Sequence, residues 1–302
     1  MELIPFLIGL PVLFAILMAL LPAGRVRDLA VYAGAGSVMA CMLLFMARWL
    51  IGQGARTQFL YLETEWIDHL MTAGDLFLMG LILFVSHRHR RILPALLSVA
   101  QTGLLLYVEH TAQLTRDYHM MVDRLTMLMC AIVALVGGFI CIYAVGYLKG
   151  YHHHHSEVRD RSGFFFAMLF LFLGAMFGLV LSQSLIWMYF FWEITSVISF
   201  LLIGYTRSEE AVQNSFRALW MNLFGGLGFS IAIALMAREN GSVQLLDAVS
   251  SGSAMALACL AFAGLTKSAQ MPFSSWLLGA MVAPTPSSAL LHSATMVKAG
   301  VY

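Results

Sequence analysis

The sequence predicts an all-α, polytopic transmembrane bundle of about ten spans, and three observations lead there. Hydrophobic residues make up 60% of the 302 positions and charged residues only 11%, against about 25% charged in soluble domains. Mean hydropathy is +0.82. The apolar residues fall in long uninterrupted runs rather than in alternation, which is the pattern of helices and not of a membrane barrel. A net charge of +1 gives no overall attraction for nucleic acid, so electrostatic arguments rest on where individual charges sit.

A bilayer core takes ~20 helical residues to cross, and the runs follow in order. Residues 3–21 come directly after Met1 and Glu2, without the basic start of a signal peptide, and read as a retained first span. Residues 29–51 form the second. Residues 70–86 and 92–108 are shorter and flank the compact basic turn at 87–91, so they read as a helical hairpin. Residues 125–148, 164–182 and 185–205 follow, then 218–237, a run from 253 past Pro272, and a last one from 288 to the end. With the N-terminus outside, the inner loops carry Arg25 and Arg27, Arg88, Arg90 and Arg91, Lys149, Arg159 and Arg161, and Arg207 and Arg217. The opposite loops carry only Arg48, Arg56, Arg116, Arg124 and Arg238, and the positive-inside rule favours that orientation.

Cysteine and histidine usage argue by exclusion. Cys41, Cys130, Cys141 and Cys259 lie within apolar runs and lack the paired spacing of an iron–sulfur site, so they read as packing residues. Nine of the ten histidines lie in or beside loops and only His292 falls in a span, which disfavours a membrane haem. His152, His153, His154 and His155 read as a solvated loop beside Glu157 and Asp160, because four adjacent loop histidines do not preorganise a metal site. We therefore expect no cofactor and no metal, and nothing in these residues points to a quinone site.

The informative residues are charges inside apolar runs. Glu193 sits near the middle of its span, where an isolated carboxylate costs at least about 2.5–3.5 kcal/mol on insertion scales, so it must face protein or water. Lys267 precedes Pro272, which removes a backbone donor and interrupts the helix, the pattern of a broken helix carrying a buried lysine. His292 and Lys298 are six residues apart, which on one helix puts them on different faces about 9 Å apart along the axis. A static Glu193–Lys267 ion pair and a snorkelling Lys298 are the bland alternatives. Four such residues in adjacent spans, beside Thr, Ser and Gln able to hold water, favour a pathway. Asp75 reads as a span-edge carboxylate.

At these residues a resemblance emerges. The stretch from Asp123 to Tyr302 resembles the antiporter-like subunits shared by respiratory complex I, Mrp cation/proton antiporters and energy-converting membrane-bound hydrogenases. Phe191, Trp192 and Glu193, followed by Ser199 through Tyr205, look like that family's glutamate helix. Thr266, Lys267, Ser268, Ala269 and Gln270 with Pro272 look like its broken lysine helix, and Ala283 to Tyr302 like the helix after it. The resemblance implies that Glu193 is the gating carboxylate, Lys267 the central proton carrier, and His292 with Lys298 the relay onward. It divides the chain into N-terminal helices at 1–122, including the extra hairpin at 70–108, and a core at 123–302 that holds only the first of the family's two inverted repeats. The missing repeat leads us to expect either that the chain is a fragment or that a second chain supplies that half.

The resemblance further implies a non-redox, proton-translocating subunit of a redox-driven complex in the cytoplasmic membrane. Its partners would be other integral membrane subunits and peripheral iron–sulfur subunits. The extra hairpin tilts the reading toward hydrogenase-associated members; a scaffold locked by buried charges and a component of a sodium/proton antiporter are the alternatives. At ~4 Å and an effective dielectric of ~20, the Glu193 charge is worth about 4 kcal/mol to a protonated Lys267. Moving either partner would then load or release a proton.

Overall fold

The computed structural model describes residues 3–53, 57–61, 65–111, 119–155, 158–250, 253–294 and 296–302. Met1, Glu2, Arg56, Arg116, Glu157 and Thr295, all used in the sequence reading, lie outside these. The chain folds as a helical membrane bundle: α1 (Ile4–Leu20), α2 (Arg25–Gln53), α3 (Glu65–Arg88), α4 (Ile92–Thr111), α5 (Arg124–His154), α6 (Ser162–Leu181), α7 (Leu185–Ile203), α8 (Glu209–Asn240), a short α9 (Leu245–Ser250) and α10 (Ala254–Lys267). Of these, seven are long and apolar enough to cross a bilayer, and α1 and α10 are shorter apolar helices. The protein is thus a multi-pass membrane protein.

Helix ends fall outside the apolar runs because polar caps extend them. Asp123 accepts from the Thr126 backbone N–H at 2.7 Å to start α5, and Ser208 accepts from that of Ala211 at 3.2 Å to start α8. Gly241, at φ +63°, ends α8 in the left-handed conformation open to glycine. The histidine run differs from expectation. Instead of lying in a loop, His152, His153 and His154 form the last turn of α5, where imidazoles complement the helix C-terminus. The last apolar run also differs: α12 (Thr285–Ala289), a π-helical turn at Leu290–Ala294 and α13 (Met296–Ala299) replace one continuous helix.

Packing is graded from centre to edge. In α6, 83% of the most apolar stretch is buried, against 17% in α3, as expected for a helix that is apolar on all sides and surrounded by others. α6 packs against α1, α5 and α7, while the α3–α4 hairpin covers α7 and α8 from outside. Small residues bring helices close: Gly225 of α8 lies against Thr266 and the Ala263 carbonyl of α10. At one end of the bundle β1 (Gln58–Leu60) pairs antiparallel with β2 (Met120–Val122), and isolated bridges join Met120 to Ser182 and Ser184 to Gln244. At the other end Arg88, His89, Arg161 and Arg207 surround one cavity. The ends of α3 and α7 and the starts of α6 and α8 therefore share a side, as the span count required.

Candidate functional site

The site begins with a carboxylate that the fold shields from lipid. Glu193 is 3% exposed and sits at the middle of α7. Its Oε2 accepts a 2.8 Å hydrogen bond from Gln101 Nε2 of α4, and its Oε1 has no protein partner. The Gln101 carbonyl oxygen is likewise unpartnered. Both free oxygens face α8 at Gly226, where a Cβ would fall 2.6 Å from Glu193 Oε1 and 2.8 Å from Gln101 Oε1. Glycine is what lets α8 approach the pair so closely.

Lys267 is the last residue of α10 and fully buried. Its amine donates to the Trp192 carbonyl at 3.0 Å and to Ser196 Oγ at 2.8 Å. It also lies 4.6 Å from the centre of the Trp192 ring, close enough for a cation–π contact. An ammonium has three donors, so one remains open. The direct ion pair assumed from the sequence does not form: Lys267 meets the residues flanking Glu193 on α7, and lies within electrostatic reach of the carboxylate itself. Beyond Lys267 the helix stops. Ala269 takes φ 52°, and the Thr266 carbonyl, which keeps only a turn bond from the Ala269 backbone N–H at 3.2 Å, also accepts from Trp276 Nε1 of α11 (Ser275–Gly279) at 2.9 Å. This is how a broken helix satisfies its backbone within protein.

Further polar groups lie between Glu193 and the strand-bearing end. Asp75 of α3 lies within electrostatic reach of Glu193 and Glu109, with Oδ1 unpartnered. Tyr189, one turn before Glu193, is 1% exposed with its hydroxyl unpartnered. Thr72 Oγ1 lies 3.1 Å from Glu109 Oε2. Asp75, read as a span-edge carboxylate, thus faces the centre. The structure brings Glu193 and Lys267 together but not the other two candidates. His292 lies half-buried in the π-helical turn with Nε2 unpartnered, and Lys298 is exposed on α13.

Reading charges alone missed Gln101, Ser196, Gly226 and Trp276. Gln101 carried a signal, a polar residue in the middle of an otherwise apolar run. The part played by a main-chain carbonyl, as at Trp192, carries none.

Two family models match the chain. One, described as NADH:quinone oxidoreductase/Mrp antiporter, TM, covers residues 182–302. The other, NADH-Ubiquinone oxidoreductase (complex I), chain 5 N-terminus, covers residues 108–156. The chain is 35% identical over 219 residues to the A1 subunit of a Na(+)/H(+) antiporter from Staphylococcus haemolyticus, a match covering 69% of this chain and 26% of that protein. It is 37% identical over 214 residues to the A/B subunit of a probable K(+)/H(+) antiporter from Rhizobium meliloti, covering 68% of this chain and 21% of that protein. Among solved structures, a chain of the membrane-bound sulfane sulfur reductase, an archaeal respiratory membrane complex, shares the fold over 100% of this chain and 52% of its own, with TM-score 0.72 and 14% identity. The Mrp complex of a Dietzia species matches over 78% of this chain and 27% of that one, with TM-score 0.54 and 28% identity. The chain spans about a quarter of the length of the curated relatives it matches.

Proposed function

The chain belongs to the NADH:quinone oxidoreductase/Mrp antiporter family of membrane subunits, and from that premise we propose that it moves protons through Glu193 and Lys267 as part of a redox-driven membrane complex. The observation that carries the reading is Lys267, fully buried at the end of a broken helix with one donor open and two held by α7. A carboxylate with a free oxygen sits on that same helix. Both groups can hold and release a proton, and neither is locked by the other, which a purely structural ion pair would require. His292 and Lys298 serve as the relay onward, toward partner membrane subunits. Peripheral iron–sulfur subunits supply the driving reaction, and the complex sits in the cytoplasmic membrane with the arginine-rich end inside.

The test is driven proton uptake by membrane vesicles carrying the assembled complex. Glu193→Gln and Lys267→Ala each abolish it while the complex still assembles; normal pumping in either variant overturns the reading. A second reading, a component of a cation/proton antiporter without a redox partner, is favoured by the sequence relatives, whose names are those of antiporter subunits. Cation-dependent proton exchange in the absence of any electron donor would select it.

A further inference from the structure

A second site lies at the opposite end of the bundle from the strands, away from Glu193 and Lys267. There the ends of α3 and α7 and the starts of α6 and α8 enclose a cavity of about 690 Å³. Its wall is apolar and aromatic, running from Phe84, 66% exposed, down to Phe216, 4% exposed, with Phe200 edge-on to Phe216 at 5.1 Å. Its rim is basic: Arg88, His89, Arg161 and Arg207, with no carboxylate among the described residues that line it.

These arginines are placed rather than scattered. The Arg161 guanidinium donates to the Tyr205 carbonyl and lies 5.1 Å from the centre of the Tyr205 ring, which fixes its direction. It stands within electrostatic reach of Arg207 and Arg159, like charges that repel one another. Arg207 holds φ 58°, a left-handed conformation that is unfavourable for a residue bearing a Cβ and that glycine would take without that penalty. Repelling cations and a strained turn are retained here although no described residue of the cavity neutralises them, which implies an anion from outside the chain.

We propose that this cavity binds one anionic phospholipid, its phosphate held by Arg88, Arg161 and Arg207 and an acyl chain laid along Phe84 and Phe216. Charge complementarity selects the headgroup: basic pockets between helices at the inner membrane face suit anionic lipids, and each arginine strengthens the attraction about fivefold. The apolar floor selects a lipid over a free anion, because inorganic phosphate has nothing to place there. A neighbouring acidic protein segment would need no such floor.

The experiment is native mass spectrometry of the assembled complex in mild detergent, after delipidation and incubation with phosphatidylglycerol or phosphatidylcholine. Phosphatidylglycerol is retained by the wild type and phosphatidylcholine is not. The double variant R88Q/R207Q, which leaves the Arg161–Tyr205 contact intact, loses phosphatidylglycerol by more than about tenfold, while the single variant R25Q at the same membrane face does not. Equal retention of both lipids, unchanged binding in R88Q/R207Q, or occupation of the cavity by an acidic partner protein overturns the proposal. Proton translocation need not be measured, so the outcome is independent of the role assigned to Lys267.

Discussion

Gln101 of α4 and Glu193 of α7, 92 positions apart in sequence, meet in a 2.8 Å hydrogen bond at the buried centre of the bundle. The carboxylate proposed to gate protons is therefore held by the α3–α4 hairpin, nearly all of which lies before the first residue that the family models match. Replacing Gln101 with Leu removes a hydrogen bond to a charged group, worth about 1.5–3 kcal/mol, and leaves the carboxylate without a protein partner. Proton uptake in vesicles falls and thermal unfolding of the complex comes earlier; unaltered transport in Gln101→Leu would show that the hairpin is only packed against the site.

Two glycines near this pair separate proximity from fit. Gly226→Ala drives a methyl group into Glu193 Oε1 and Gln101 Oε1, so transport drops steeply. Gly103→Ala meets nothing within 4 Å and stabilises α4 by as much as about 1 kcal/mol, with transport unchanged. Side-by-side vesicle assays check both.

Ser196→Ala takes away one of the two acceptors of the Lys267 amine. The loss is about 1–3 kcal/mol, and transport slows without vanishing, because the Trp192 carbonyl remains at 3.0 Å. Transport as low as in Lys267→Ala would instead assign the Ser196 hydroxyl a place in the proton's route.

Outside the spans, Asp160 gives a pH signature. Burial raises its pKa, but hydrogen bonds from the Ser162 hydroxyl and backbone N–H outweigh that, with help from His152 and Arg27, and hold it below the usual aspartate range. The unfolded-state value is thus the higher of the two, so its stabilisation is present above the unfolded pKa and is lost as pH falls through the lowered native one. Asp160→Asn costs roughly 1 kcal/mol at neutral pH after allowance for solvent screening. The gap between the variant and the wild type closes in acid, which thermal unfolding across pH would reveal.

The bundle and its central lysine were legible in the sequence for definite reasons. Uninterrupted apolar runs leave helices as the only solution in lipid, and a lysine before Pro272 marks a break whatever surrounds it. The hairpin was legible from its basic turn. What sequence could not give was contact across helices. Gln101 reaches Glu193 only because α4 packs on α8 beside α7, and Lys267 is held by a main-chain carbonyl that no residue type encodes. The end of the chain reads as one helix from its composition, since nothing in the apolar pattern distinguishes a continuous helix from one that widens at Leu290–Ala294. Local period fixes a face of a helix; it does not fix the neighbour that covers it.

The helix break behind Lys267 is braced by a side chain: Trp276 Nε1 donates to the Thr266 carbonyl, which otherwise takes only the turn bond from the Ala269 backbone N–H. In mechanical terms this is a latch across a pivot. The main-chain bond ties the carbonyl to its own turn, and the indole ties it as well to α11, a separate five-residue segment packed on α8. Displacement of α11 or α8 would therefore pull on the carbonyl one residue before Lys267, which ties the flank of the bundle to the residue at its centre.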